Sequence, residues 1–429
     1  MRARAAWLAC VPLAVAVAVA GCDWRDFDTI QKRTPVLAVG APSHFGTDDF
    51  GRTLLPLSSL PAGATGSRFV VSAAGTDALA LVDVDAKGQV GSQNVTSTSF
   101  VMDQPITSLA EVAGTNQVLL GAPGGAAGSV YVLTMGATLD VASLDAPTGA
   151  DRFGLGVAAG KLAGNDAPDF VVVSGADLTV YVDGDAKMAV PAATPGADCP
   201  MLVPTALPAR DRLRRAVLVA PLAGGAGAQI VVGTPTVEDM GAVAVFNVDA
   251  TTGVATCAFA YRNADPRFGH ALATGDFDAD GTPDLLVGSP PSHAFWIRGP
   301  LTPASPMLPV ALAAGAGELG SAVAAADIDG KAGDEAVVGN PDATVGDAML
   351  AGEVRIVGGK LLDKELPVLR RRDPGADDVF GIDVSALPFC VSGCGTPAAV
   401  TKRLVVVGSA THALIDFLLA GGGVDPRTH

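Results

Sequence analysis

The sequence predicts an all-β repeat protein, and three observations support this prediction. Short runs of β-branched and other apolar residues recur along the chain and are bounded by Gly and Pro, as strands are. A pattern of two such runs returns seven times between residues 50 and 409. After the N-terminal apolar run, no stretch has the periodicity of a helix of ten or more residues.

Composition narrows the function classes. The chain has 429 residues, of which 49% are apolar and 17% charged, and its formal net charge is −16. An acidic chain is not expected to bind nucleic acid, because phosphate binding needs a basic surface. The apolar content is too high for a disordered chain, and the single long apolar run excludes a protein with several membrane spans.

The first 22 residues indicate export. Arg2 and Arg4 precede an apolar stretch over residues 5–20, which is short for a membrane-spanning helix and typical of a signal peptide. The stretch ends in Val19-Ala20-Gly21-Cys22, which resembles the lipobox of bacterial lipoproteins. We therefore expect a signal peptide over 1–21, lipidation of Cys22 and a tether over 22–34, with the choice of inner or outer membrane open. The alternative is an ordinary signal peptide with a chance cysteine.

The clearest copy of the repeat lies at residues 268–290. It begins with Phe268-Gly269, continues through a strand and an acidic turn, and ends in a second strand that closes with Gly288-Ser289-Pro290. This segment resembles the FG-GAP repeat of integrin α-subunit propellers. The resemblance implies a β-propeller, in which each copy contributes one blade.

Six weaker copies keep the same order of features. They begin near residues 50, 106, 153, 215, 319 and 380, and each reaches a second apolar run ending near a Gly or Ser corner. Third strands follow several corners, as at residues 129–133, 242–246 and 353–357. Each copy has about 56 residues, enough for a four-stranded blade. We predict a single seven-bladed β-propeller over residues 35–429, built from FG-GAP-like repeats.

A ring of blades must close without leaving exposed strand edges. Only a Gly-rich tail follows the third strand of the last copy, so the last blade lacks an outer strand. We expect the spare strand Pro35–Val39 to complete it. The alternative is that this strand belongs to a truncated copy, because Gly40-Ala41-Pro42 follows it.

Export also determines how the cysteines are interpreted. Cys10 would leave with the signal peptide and Cys22 would carry lipid, so that four remain, Cys199, Cys257, Cys390 and Cys394. An even number outside the cytoplasm predicts disulfides, with three possible connectivities. The short spacing of Cys390 and Cys394 favours their pairing, which would leave Cys199 with Cys257.

The acidic turn of the fifth copy predicts a calcium site. Asp276, Asp278, Asp280 and Asp284 fall within nine residues, and Gly281 supplies a turn conformation. Carboxylates at alternate positions of a tight turn can surround Ca²⁺, which takes six to eight oxygens. The turn resembles the Asp-x-Asp-x-Asp-Gly-x-x-Asp motif of the family, which adds the backbone carbonyl of Thr282 as a ligand. An acidic turn that binds no ion is the alternative.

The corresponding turns of other copies are weaker. The sixth copy has Asp327, Asp329 and Glu335, but Lys331 stands where a third carboxylate is expected. Its ammonium group is expected to neutralise the acids in place of an ion. The third copy keeps only Asn165 and Asp169, and the fourth keeps none, so these turns are expected to bind no ion.

Arginines cluster before several first strands, at positions 152, 210, 212, 214, 215, 267 and 370–372. In a propeller these connections lie on the face opposite the acidic turns. They would either form a surface for an acidic partner or pair with the aspartates beside them, and we favour the second interpretation.

No sequence signature of an enzyme is present: there is no Gly-x-Ser-x-Gly before a helix, no phosphate-binding Gly loop and no His cluster. The resemblance to integrin-like propellers implies a non-catalytic, lipid-anchored binding or adhesion scaffold for a protein or glycan, and we expect it to be monomeric and in the bacterial cell envelope. The alternative is an envelope hydrolase or lyase with its site at the propeller channel, and a third possibility is a subunit of an envelope assembly.

Overall fold

The computed structural model describes residues 37–40, 50–58, 67–73, 78–85 and 94–420, with gaps in the last range. The gaps are residues 103, 126, 137, 163–165, 176, 185–188, 192–215, 225–226, 236–240, 266, 292, 311, 313–316, 329–331, 359–363, 372–373, 393–399 and 410–413. The predicted signal peptide, Cys22 and tether lie outside the described residues. No described helix is long and apolar enough to cross a membrane.

The described elements are strands and one 3₁₀ turn at Val182–Gly184. In the first half of the chain the strands are β1 Leu37–Gly40, β2 Phe50–Leu57, β3 Ser67–Ala73, β4 Ala78–Asp85, β5 Asn94–Val101, β6 Ser108–Val112, β7 Gln117–Ala122, β8 Ser129–Met135, β9 Leu139–Leu144, β10 Gly156–Gly160, β11 Asp169–Val173, β12 Leu178–Tyr181, β13 Ala189–Pro191 and β14 Val217–Ala220. In the second half they are β15 Gln229–Thr234, β16 Gly241–Val248, β17 Ala255–Asn263, β18 Ala271–Gly275, β19 Asp284–Ser289, β20 His293–Ile297, β21 Met307–Pro309, β22 Val323–Ala326, β23 Glu335–Asn340, β24 Glu353–Gly358, β25 Lys364–Leu369, β26 Val384–Ser392, β27 Val400–Ser409 and β28 Leu414–Ala420.

These strands form seven four-stranded sheets within the described part of the chain. Six sheets take four consecutive strands each, from β2–β5 to β22–β25, and all their pairings are antiparallel. The first strands of successive sheets contact one another in the order β2, β6, β10, β14, β18, β22 and β26, and β2 also contacts β26. The fold is an all-β propeller, as the repeats predicted.

The remaining sheet joins the two ends of the described chain. Its strand order is β1-β28-β27-β26, and β1 pairs with β28 in antiparallel register from Leu37 opposite Phe417 to Gly40 opposite Leu414. This confirms that the spare N-terminal strand completes the last sheet, with bounds two residues later at its start than expected. The alternative assignment to a truncated copy is wrong.

The core lies between the sheets. Six clusters of buried side chains each combine residues from two neighbouring sheets. The aromatic residue that opens a repeat is central to this packing: Phe50, Phe153, Phe268 and Phe380 are all fully buried or nearly so, and Leu319 replaces it in the sixth copy. Burial between sheets thus explains the opening Phe of these four copies.

The Gly that follows the opening Phe or Leu of a repeat makes a close contact with the preceding sheet. Gly320 has a φ of 93°, a conformation that favours glycine, and its carbonyl oxygen lies against the α-carbon of Gly288 in the preceding repeat. A Cβ on Gly288 would overlap that oxygen. The same contact joins Gly121 to Gly154, Gly233 to Gly269, Gly339 to Gly381 and Gly408 to Gly51. The last of these pairs joins the seventh copy to the first.

The second and fourth copies lack this Phe-Gly pair, and the first copy shows another contact. Its second strand carries Ser72 where the corner glycine would stand, and the Ser72 hydroxyl donates to the carbonyl of Ile106, 2.9 Å away in the next copy. Ser72 and Ile106 are both fully buried. A side-chain hydrogen bond therefore takes the place of the glycine contact here.

Gly288→Ala should destabilise the protein, because its Cβ would meet backbone that cannot rotate away. Overpacking of this kind costs about 1–3 kcal/mol. Gly227→Ala is the matched control, since a Cβ at Gly227 meets nothing within 4 Å. Urea unfolding of both variants measures the difference, and equal stability of the two would show that the glycine contact does not constrain the sheets.

Candidate metal centre

The acidic turn of the fifth copy joins β18 to β19 and is built on local hydrogen bonds. The Asp276 carboxylate accepts from the N–H groups of Asp280 at 3.0 Å and Gly281 at 2.9 Å. Ala279 and Gly281 take positive φ values of 58° and 84°, which turn the chain back on itself. Phe277 within the turn is fully buried and lies edge-on to Trp296, with 6.3 Å between ring centroids. The turn is therefore fixed to the core.

Asp284, at the other end of the turn, is buried and holds two backbone segments. Its Oδ2 accepts from Phe277 N–H at 3.0 Å, and its Oδ1 accepts from Gly299 N–H at 2.7 Å. Burial raises the pKa of Asp284 to about 6, while the N–H groups of Gly299 and Phe277 oppose this and the nearby acids add to it. Asp284 thus has a structural role that needs no ion.

The same anchor occurs in three other copies. The first residue of the second strand accepts the N–H of the residue seven positions earlier: Asp169 from Leu162 at 2.7 Å, Gln229 from Leu222 at 2.8 Å and Glu335 from Ile328 at 2.6 Å. The sequence analysis missed this role, because it counted the last acid only as a ligand. The sequence signal for this role is a polar residue at the first position of an otherwise apolar second strand. Gln229 shows it most clearly, because the turn before it in the sequence has no set of metal ligands.

The turn is also tied to the next sheet. Asp276 N–H donates to Asp334 Oδ2 at 2.9 Å, and Asp334 N–H donates to the Asp276 carbonyl at 2.8 Å. Asp334 precedes β23 in the sixth copy. Any ion bound by the turn would therefore act on the boundary between two sheets.

Three of the predicted carboxylates come together. One oxygen each from Asp276, Asp278 and Asp284 lie within 4.8 Å of one another. Asp278 is only 3% exposed, and neither of its oxygens receives a hydrogen bond. A buried carboxylate without hydrogen bonds is costly unless a cation compensates it.

Asp280 and Thr282 do not belong to this group. Asp280 lies at the exposed end of the turn, and its Oδ1 accepts from Thr282 N–H at 2.8 Å. This hydrogen bond, with a contribution from Arg298, lowers the pKa of Asp280. The assignment of Asp280 and the Thr282 carbonyl as ligands stays a prediction.

Arg298, which follows β20, contacts two of the acids. Its Nε lies 2.7 Å from Asp278 Oδ2, and its Nη2 donates to Asp280 Oδ2 at 3.2 Å. These carboxylates raise the pKa of Arg298. The largest contribution is the hydrogen bond to Asp280, and the charge of Asp278 follows. Sequence reasoning missed this residue, because it is 18 positions beyond Asp280 and outside the repeat's acidic motif.

The residues present fit a calcium ion in their chemistry. They offer hard carboxylate oxygens, as Ca²⁺ prefers, and Asp278 presents two buried oxygens that lack hydrogen bonds. Asp276, Asp278 and Asp284, whose oxygens lie together, would hold the ion through side chains, and Arg298 would have to leave Asp278. Asp276 and Asp284 also accept backbone N–H groups, so their oxygens would be shared between the ion and the backbone.

The turns of the other copies are described only in part. In the sixth copy, Asp327 and Glu335 are described, while Asp329 and Lys331 lie outside the described residues. The predicted neutralisation by Lys331 therefore stays a prediction. In the third copy Asp169 is the anchor, and Asn165 is outside the described part of the chain.

The described arginines on the opposite face are paired with acids. Glu353 is 3% exposed in its side chain and lies 2.7 Å from both Arg355 and Arg370, while Arg371 lies 2.8 Å from Asp378. Arg267 pairs with Glu318, and Arg152 with Asp151 at 3.2 Å. Burial raises the pKa of Glu353, but Arg370 and Arg355 outweigh it and hold the pKa below its usual value. These pairs favour the interpretation that the arginines pair with acids of the protein itself. The other predicted arginines lie outside the described residues: Arg210, Arg212, Arg214, Arg215 and Arg372.

The cysteine predictions are not settled by the described atoms. Cys199 and Cys394 lie outside the described residues, and Cys390 is in β26 with no described side chain. Cys257 is half-buried on β17. The disulfides stay predictions.

Comparison with known families finds a match to the FG-GAP repeat over residues 268–295. This segment is similar to the FG-GAP repeat. The match confirms the resemblance of the fifth copy, and it contains the whole acidic turn. Comparison with curated proteins finds no match.

Among solved structures, the crystal structure of Saccharomyces cerevisiae Sqt1 is similar, with a TM-score of 0.48 and 12% identity. The similarity covers 83% of this chain and 82% of that chain. A likeness at this level says nothing about shared function.

Asp284→Ala should destabilise the protein even without metal, because the N–H groups of Phe277 and Gly299 would lose their acceptor. Each buried unsatisfied group costs about 1–3 kcal/mol. Asp280→Ala is the control, since Asp280 is exposed and should matter little to stability in chelator. Chemical unfolding at pH 7 with chelator compares the two, and equal losses would contradict the anchor role of Asp284.

Proposed function

We propose that this chain is a non-catalytic binding scaffold, a lipid-anchored β-propeller of a bacterial cell envelope with one structural calcium site. The observation that carries the calcium site is the buried Asp278 carboxylate, which lies beside two further acids, receives no hydrogen bond and is paired with the partly exposed Arg298. A match to the FG-GAP repeat over the same segment supports it, since such repeats commonly bind calcium.

The proposed ion has a structural role. The turn links two strands of one sheet and is hydrogen-bonded to Asp334 of the next. An ion held by Asp276, Asp278 and Asp284, with Asp280 as a further ligand, would relieve the repulsion among these acids and stiffen both sheets at their boundary. The expected result is a more stable propeller rather than a catalytic centre.

The proposed scaffold function depends on the seven-bladed architecture. Seven four-stranded sheets and the ring of contacts between their first strands support one blade per repeat, and an experimental structure with another number of sheets would contradict it. Loops at the two faces of such a ring would present a binding surface to a protein or glycan. We further propose that the chain is monomeric, with disulfides Cys199–Cys257 and Cys390–Cys394.

Calorimetric titration of the metal-free protein with Ca²⁺ should show one saturable site and a higher melting temperature in the occupied form. Asp278→Asn should abolish the site, because it removes the buried charge. Asp280→Ala should weaken or abolish it as well.

Asp249→Asn is the matched control for these substitutions. Asp249 is an exposed turn aspartate that accepts from Thr251 and Thr252, far from the acidic turn in sequence. It should leave Ca²⁺ binding unchanged. Absence of saturable binding in the wild-type protein would contradict the calcium function.

Cys22→Ser should release the protein from membranes or leave it unprocessed, because lipidation needs the cysteine thiol. Cys10→Ser is the control, since Cys10 lies within the predicted signal peptide. Mass spectrometry of the N-terminus and detergent partitioning measure both. A processed Cys22→Ser variant that still partitions into detergent would overturn the lipid anchor.

A further inference from the structure

The guanidinium group of Arg298 occupies the acidic turn from outside the repeat motif. Arg298 Nε is 2.7 Å from Asp278 Oδ2, and Nη2 is 3.2 Å from Asp280 Oδ2. Asp278 is buried, whereas the Arg298 side chain is 47% exposed. The arginine therefore reaches in from the surface and is free to move out into solvent.

We propose that Arg298 is a built-in cation that competes with Ca²⁺ for Asp278 and Asp280, so that metal binding requires its displacement. This inference rests on the proposed calcium function. In this proposal Arg298 sets the affinity of the site for calcium. Calcium binding in turn releases the Arg298 side chain at this face of the propeller.

The electrostatics of the turn support competition rather than simultaneous binding. Arg298 Nε lies near Asp278 Oδ2 without meeting hydrogen-bond geometry, so this contact compensates charge but leaves both oxygens of Asp278 without a hydrogen bond. Calcium needs oxygens at about 2.3–2.6 Å, and a guanidinium at 2.7 Å from the same oxygen occupies that space. Two cations so close together would also repel each other.

The position of Arg298 in the fold keeps its group near the turn. Gly299, the next residue, donates its N–H to Asp284 Oδ1 at 2.7 Å. Trp296, two residues earlier on β20, is buried against Phe277 of the turn. The backbone on both sides of Arg298 is thus fixed to the acidic turn, and only the side chain has to move.

The test compares Ca²⁺ affinity and stability of wild type, Arg298→Gln and Arg68→Gln. Arg68 is the matched control, because it pairs with Asp83 through 2.5 and 2.9 Å contacts in the first sheet and carries the same charge. Arg298→Gln should bind Ca²⁺ about threefold to thirtyfold more tightly, from the loss of two partly exposed charge contacts. Arg68→Gln should bind as wild type does.

Stability distinguishes displacement from a general charge effect. If Arg298 leaves on binding, Arg298→Gln should lower the melting temperature only in chelator and leave that of the calcium-saturated protein unchanged. Equal lowering in both forms, or an affinity no tighter than wild type, would overturn the competition while leaving the calcium function intact. No Ca²⁺ binding by either wild type or Arg298→Gln would overturn both.

Discussion

The contact between two glycines at the boundary of neighbouring sheets is the constraint on which the rest of this propeller depends. The carbonyl of the Phe-Gly glycine lies where the corner glycine of the preceding repeat would carry a side chain, as Gly320 does at Gly288. Close packing of this kind tolerates no added methyl group without movement of backbone. It fixes the distance between first strands and leaves the adjacent Phe buried between two sheets. Between the first and second copies, where this glycine pair is absent, a hydrogen bond from Ser72 makes the contact.

With the sheets held at that face, the turns at the other face are free to differ. Four copies share the anchor, a carboxylate or amide at the start of the second strand that accepts a backbone N–H. In the fifth copy the anchor Asp284 is joined by the further acids Asp276, Asp278 and Asp280. Asp278 is the clearest, because it is buried and makes no hydrogen bond. Structural and electrostatic roles are therefore divided among carboxylates that look alike in the sequence.

The sequence was informative where the physical cause is local. The β-strand pattern, the repeats and the closing strand before the first copy could all be predicted, since each depends on short runs and on the missing outer strand of the last sheet. The acids of the fifth turn were predicted from their spacing. Arg298 could not be, because its approach to Asp278 depends on the third strand of the sheet ending beside the turn. The sequence instead predicted that a side-chain cation, Lys331, neutralises the acids of the sixth turn. The arginine pairs, such as Arg370 with Glu353, depend likewise on contacts between residues that are distant in sequence.

The central claim is that the acidic turn of the fifth copy holds a calcium ion in place of Arg298. A crystal structure of the protein grown with Ca²⁺, with anomalous scattering to identify the ion, tests it most directly. The account predicts one ion at about 2.3–2.6 Å from oxygens of Asp276, Asp278 and Asp284, with the Arg298 guanidinium moved into solvent. Arg298 still in contact with Asp278 and no ion in the turn, at saturating calcium, would contradict it.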